Sequence, residues 1–253
     1  EDESNVDPNE IRRGIPMGGK EGKSRDHLRY ERIIRQAEPT LIGNPERLDV
    51  YTALFERALI NDTRIFPTDV KTEKLDDGTI RLDGYVRYEE NKRSLEKLFH
   101  YLGFEKIEND VEVLPSEKLG KKKFALVTAP IEMTYDKPEE PRERMNQAFI
   151  GDPIYLLRKT GDHYYVQTAE GYVGYISADA IRPVDAKTFH EYQEGPQLYL
   201  LEDYEIAGMK LPQGARLKTS VEENDGRIQA TLPNGREIWI PMTIVDVRPG
   251  TAN

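Results

Sequence analysis

Six tyrosines, Tyr135, Tyr155, Tyr164, Tyr165, Tyr172 and Tyr175, fall in the stretch 123–185. A tyrosine offers a large flat surface and a hydroxyl tip at small entropic cost, so a cluster of them is recognition chemistry. On a two-residue strand period they cannot all point to one side, and some must face a cleft or solvent. Two readings stand at this point. Either the cluster is a ligand-facing wall, with Tyr135, Tyr164 and Tyr172 as its residues and Tyr172 the first to substitute. Or Tyr165 and Tyr175 fill a barrel, and the others are strand-surface residues favoured by β propensity.

Bond-breaking chemistry finds little support. The chain has no cysteine, which excludes a thiolate nucleophile, a disulfide and a Cys-based zinc site within it. Carboxylate pairs occur in "KPEEPRE" and "VEEND", but solvated loops do not raise a carboxyl pKa as a glycosidase acid requires. There is no "GxSxG". His27 has no second donor at ligand spacing, His100 reads as a helix-face residue, and His163 opens an aromatic strand at a turn edge. The tempting "GGKEGKS" fails as a phosphate loop because Met17 stands where its first glycine must be. No catalytic residue, metal ligand or cofactor site is therefore assigned. A net charge of -10, with basic runs only at 12–13 and 120–123, argues against nucleic acid as a partner.

Four parts position these residues. Residues 1–43 read as a polar leader carrying one helix, from the Ser24 cap to Pro39. Residues 44–115 give a helix begun by Asn44 and Pro45, two strands around Asp77-Gly78, a helix inward through Leu95, Leu98, Phe99 and Leu102, and a last strand. That order makes an α+β unit. Residues 123–185 and 195–248 each show short strands and glycine turns, the texture of two all-β small barrels. Gly151 aligns with Gly214, "YVQT" (165–168) with "IQAT" (228–231), and "GYVGYI" with "GREIWI", an internal repeat. No apolar run approaches the roughly 20 residues that span a bilayer.

The stretch "DDGTIRLDGYVRYEENKRSLEKL" followed by "GFEKIENDVEV" resembles a BON domain, through Leu82, Gly84 and Val86, then Gly103, Ile107, Asn109 and Val111. That resemblance implies envelope or phospholipid contact, hence peripheral membrane association, and no catalytic residues. Both barrels resemble bacterial SH3 (SH3b) domains. In the first the family's ending is matched by Gly171, Gly174, Tyr175, Ile176 and Ile181. In the second Trp239 and Ile240 are kept, but the second glycine is not. A tandem of such modules is similar to the N-terminal half of NlpC/P60 cell-wall peptidases, whose catalytic Cys-His domain follows them. In those relatives the first module borders the cleft and helps select the peptide end. The resemblance therefore points to the loop "MTYDKPEEPRERMNQ", where Asp136, Glu139 or Glu140 would pair with a peptide's free amine.

The expected protein is extracytoplasmic, its signal peptide removed, and binds peptidoglycan peptides or another envelope component without catalysis. Two rivals remain. One is the substrate-selecting half of an NlpC/P60 γ-D-glutamyl-diamino-acid peptidase, which "RPGTAN", reading as the start of a linker, favours. The other is a protein-interaction scaffold.

Overall fold

Asn44 starts the first complete helix in the way its side chain dictates. Its Oδ1 accepts from the Glu46 N–H at 3.0 Å, and Pro45, lacking an N–H, takes the first position of a short 3-10 turn, Pro45–Arg47. The turn runs into α1 (Leu48–Leu59). The computed structural model describes residues 31–32, 34–59, 64–206 and 208–250. Of the helix expected from Ser24, residues 34–37 are helical and most of the remainder lies outside the described residues.

The chain divides between Leu114 and Pro115 into two units. In the first, α1 precedes the antiparallel pair β1 (Asp69–Lys74) and β2 (Ile80–Val86). Then come α2 (Glu89–Tyr101) and the short strands β3 (Ile107–Asn109) and β4 (Glu112–Val113), both parallel to β2. Leu48, Tyr51 and Phe55 of α1 pack with Leu95, Leu98 and Phe99 of α2 over Ile80, Leu82 and Val86, and Ile34 joins them. The apolar spacing of the sequence predicts both helix faces because i, i+3 and i+4 residues share one side. No helix among the described residues is long and apolar enough to cross a membrane.

The second unit holds two large antiparallel sheets and a two-stranded ribbon. The first contains β5 (Phe124–Val127), β6 (Ile131–Tyr135), β7 (Arg144–Phe149), β8 (Pro153–Thr160), β9 (His163–Thr168), β10 (Val173–Ser177) and β11 (Ile181–Val184). Its order is β11-β5-β8-β9-β10-β6-β7. After α3 (Ala186–Gln193) come β12 (Gln197–Leu200), β13 (Tyr204–Ile206), β14 (Met209–Leu211), β15 (Arg216–Asn224), β16 (Arg227–Thr231), β17 (Glu237–Pro241) and β18 (Val245–Arg248). The second sheet runs β17-β16-β15-β12-β18, and the ribbon is β13-β14. Read from the other end, it repeats the first five strands of its neighbour.

The two sheets share this strand order, but the expected alignment of "YVQT" with "IQAT" is one residue out. Gly171 N–H donates to Thr168 O and Gly235 N–H to Leu232 O, so Thr168 corresponds to Leu232, not Thr231. Tyr175 lies opposite Tyr165 and Trp239 opposite Gln229. Tyr165 thus matches Gln229, while Tyr164 matches the core residue Ile228. A one-residue slip exchanges the two faces of a strand.

The two sheets meet through named contacts. Ile150 of the first packs in the core of the second with Leu198, Leu217 and Ile240, and Arg216 N–H donates to Ile150 O at 3.3 Å. Gly151 sits at φ 86, where a Cβ would fall 1.6 Å from Arg216 O. An Arg182 guanidinium N–H donates to Pro233 O at 2.7 Å, and Arg216 Nη2 to Gln193 Oε1 at 2.7 Å. Burial holds the Asp152 carboxyl above its ordinary pKa, although the Phe149 N–H and nearby Arg216 pull it back down.

Candidate functional site

The candidate residues lie on and around the hairpin of β6 and β7. Tyr135 ends β6 between two strands, opposite Tyr175 of β10 on one side and Arg144 of β7 on the other. The turn beyond it is closed by Asp136, whose N–H donates to Glu143 O at 3.0 Å and whose Oδ1 accepts from Glu143 N–H at 2.7 Å. Arg142 is the organising side chain. Its guanidinium lies 3.7 Å from the centroid of the Tyr135 ring, a cation over the negative face of a π system. Its Nε donates to Glu140 Oε1 at 2.9 Å, and its Nη1 reaches Pro138 O at 3.4 Å and His163 Nε2 at 3.3 Å. A guanidinium can only donate, so His163 Nε2 accepts here.

Strand pairing sets which aromatics accompany this hairpin. Tyr135, Tyr175 and Tyr165 stand opposite one another across β6, β10 and β9 and so share a face. The Tyr165 and Tyr175 rings are 4.8 Å apart. Tyr164 points to the other face, against the core of Val166, Ile176 and Ile181, with Lys159 Nζ 5.6 Å from its ring. The reading in which Tyr165 and Tyr175 fill the barrel is thereby corrected. On β9 and β10 the half-buried Tyr164 and the buried Ile176 face that core. Tyr165 and Tyr175 lie on the opposite face of the sheet, where Tyr165 is nonetheless buried and Tyr175 half-buried.

The structure does not gather all six expected ligand residues. Tyr135, Asp136, Glu139 and Glu140 share the hairpin, and Glu139 and Glu140 are exposed. Tyr172 sits in the β9–β10 turn, on the order of 10 Å along the strand from Tyr175 and away from the hairpin tip. At that end Asn146 Nδ2 donates to Thr168 Oγ1 at 3.2 Å and Glu170 Oε2 at 3.3 Å. Sequence reasoning passed over Arg142, because nothing in "PEEPRER" distinguishes one arginine of a polar loop from another. It noticed His163 as the opening of an aromatic strand but had no means of pairing it with Arg142, 21 residues away. Among the described residues no group of three or more His, Cys, Asp or Glu side chains converges to hold a metal.

The hairpin, the tyrosine strands and the closing turn together are what the family comparison picks out. Residues 134–181 match the bacterial dipeptidyl-peptidase SH3 domain. This SH3 segment begins at Thr134, where β6 crosses β10, and ends at Ile181, the first residue of the closing strand. All six candidate residues lie inside it. No curated protein matches the sequence. Among solved structures, an NlpC/P60 family protein from Bacillus cereus is similar at 14% identity and TM-score 0.43, over 50% of this chain and 57% of that one. An NlpC/P60 endopeptidase from Photobacterium damselae subsp. piscicida is similar at 13% identity and TM-score 0.39, over 54% and 35%. NlpC2 from Trichomonas vaginalis is similar at 12% identity and TM-score 0.22, over 49% and 47%. The chain thus aligns with less than two thirds of the length of each. The mostly β second unit, with its several antiparallel sheets, is consistent with SH3-like β domains.

Proposed function

We propose that this chain is an accessory module of bacterial cell-wall peptidases that binds peptidoglycan peptides or another envelope component and performs no catalysis itself. The observation that carries the reading is the SH3 match over 134–181, which spans the whole Tyr135–Arg142 hairpin. Tyr135 supplies an apolar wall and Arg142 a guanidinium for a ligand carboxylate. Asp136 is committed to closing its own turn and Glu140 to Arg142, so Glu139 is the expected carboxylate left for a free amine. The repeated strand order supports reading residues 195–248 as a second SH3b copy. The helix–strand–strand–helix–strand order of the first unit supports the BON-like reading, and with it peripheral envelope contact and an extracytoplasmic location.

Isothermal titration with purified muropeptides, alongside pull-down on sacculi, tests the proposal. Binding should weaken at least about tenfold in Tyr135→Ala, the loss of one aromatic anchor. In Tyr172→Ala it should stay within about twofold, since that residue lies at the other end of the hairpin strands. Circular dichroism guards against misfolded variants. No heat and no retention on sacculi for the wild-type chain would refute the reading.

The description of the matched family as dipeptidyl-peptidase favours one second reading, in which the same hairpin is the substrate-selecting part of an NlpC/P60-type peptidase. A reading frame continuing past Asn253 into a cysteine-bearing domain decides for it; a stop codon there decides against.

A further inference from the structure

The two sheets of the second unit differ at one edge. In the first, β10 has β9 on one side and β6 on the other. In the second, β17 pairs with β16 alone and ends the sheet, while β13 and β14 close on each other as a separate ribbon. The hairpin there is shorter, three residues a strand against five and six in β6 and β7, and one position of the edge strand also differs. Gly174 leaves room for β6, since a Cβ there would lie 3.0 Å from both Thr134 Cβ and Tyr135 O. The corresponding Ile238 is buried in the core and fills that space. No hairpin can cross the barrel there, and the edge stays open.

The ladder shows which backbone groups face outward. Leu232 N–H donates to Arg236 O, and Met242 N–H to Gly226 O. Hydrogen-bonded pairs alternate along an antiparallel ladder, so Ile238 and Ile240 point their backbone groups at β16. Glu237, Trp239 and Pro241 therefore turn theirs to the open edge. Among the described residues, no hydrogen bond engages the backbone N–H or C=O of Trp239. Trp239 is half-buried, stands opposite Gln229, and holds the place that Tyr175 holds in the first sheet. There, Tyr175 is met by an antiparallel strand with an aromatic residue opposite it.

We propose that β17 is a strand-addition site for an extended, basic peptide segment of another protein. Main-chain bonds to an exposed edge supply affinity, and alternate side chains supply specificity. Charge selects the occupant. Glu237 lies on the edge, and Glu222, Glu223 and Asp225 cluster at the turn beside its Pro241 end, against Arg227 and Arg236, in a chain of net charge -10. A second copy fits less well. Two β17 strands paired about Trp239 would set Pro241 opposite Glu237 twice, and each time the bond a proline cannot donate is lost. The bound segment runs antiparallel, with an aromatic residue opposite Trp239 and an arginine opposite Glu237.

Trp239 is the chain's single tryptophan, so its emission reads the site directly. The probe is the capped peptide Arg-Thr-Val-Tyr-Val-Arg-Thr-Lys, titrated into the full chain. A saturable shift in emission is expected. Methylating the tyrosine amide nitrogen, or replacing the three basic residues by Glu, should weaken binding at least about tenfold. Glu237→Lys, an exposed change, should weaken the basic peptide and favour the acidic one. Unchanged emission at low-millimolar peptide overturns the proposal, as does equal binding of the N-methylated peptide. Sedimentation showing a dimer that already shields Trp239 overturns it in favour of self-pairing.

Discussion

At the scale of single residues, Gly174 and Arg142 organise the SH3 segment in different ways. Gly174 acts by having no side chain, because Thr134 and Tyr135 occupy the space a Cβ would need. Gly174→Ile, the residue found at the matching place in the second sheet, should lift β6 off β10 and destabilise the chain by about 2–3 kcal/mol. Urea denaturation reads this; a loss under about 0.5 kcal/mol would mean the crossing is loosely held. The family resemblance made Gly174 visible in the sequence, but its reason, a strand crossing at that point, was not. Arg142 acts by gathering Tyr135, Glu140, Pro138 and His163 around one planar guanidinium. Its partners are assembled by the hairpin fold, and no local pattern announces them.

At the scale of elements, α3 is the piece that sequence texture hid. It is short and lies between two runs of strand-and-turn signals, so residues 186–194 read as the gap between barrels. Asp185 caps it by accepting from Thr188 N–H at 2.8 Å. Phe189 stacks on Phe124 of β5 with centroids 4.6 Å apart, and Leu126, Val184 and Tyr192 complete a small cluster. Phe189→Ala should cost roughly 3–4 kcal/mol, measured as a lowered urea midpoint with the denaturant slope unchanged. A change within about 0.5 kcal/mol would show that the helix is not part of the cooperative unit. The strands were read more faithfully, because alternation and glycine turns are local signals. The alignment between copies slipped because "YYVQT" and "IQATL" align about as well one residue apart, and only the hydrogen bonds of the two turns fix the register.

At the scale of the second unit, the two sheets are joined where backbone meets backbone. Gly151 combines φ 86 with an approach that leaves a Cβ 1.6 Å from Arg216 O. No L side chain satisfies both conditions without parting the junction. Gly151→Ala should therefore cost roughly 3 kcal/mol or more and withdraw Ile150 from the second core. Thermal unfolding of the variant should begin earlier and split into two steps if each sheet retains its own core. A single transition at the wild-type temperature would show that the contact is dispensable. The contact could not be read before the fold was known, since Gly151 and Arg216 are far apart in the chain and the alignment of Gly151 with Gly214 says nothing of what approaches it.

Most strands and the faces of α1 and α2 followed from the sequence alone, because periodicity and turn chemistry act over a few neighbouring residues. The glycine ending with Gly171 and Gly174 likewise carried the family resemblance. Tertiary structure alone decided which tyrosines share a face, that Tyr172 stands apart from the hairpin, that Arg142 holds the site together, and that one sheet keeps an open edge. Those outcomes depend on register and on crossings between distant strands. A shift of one residue, or the difference between Gly174 and Ile238, reverses them without disturbing any local pattern.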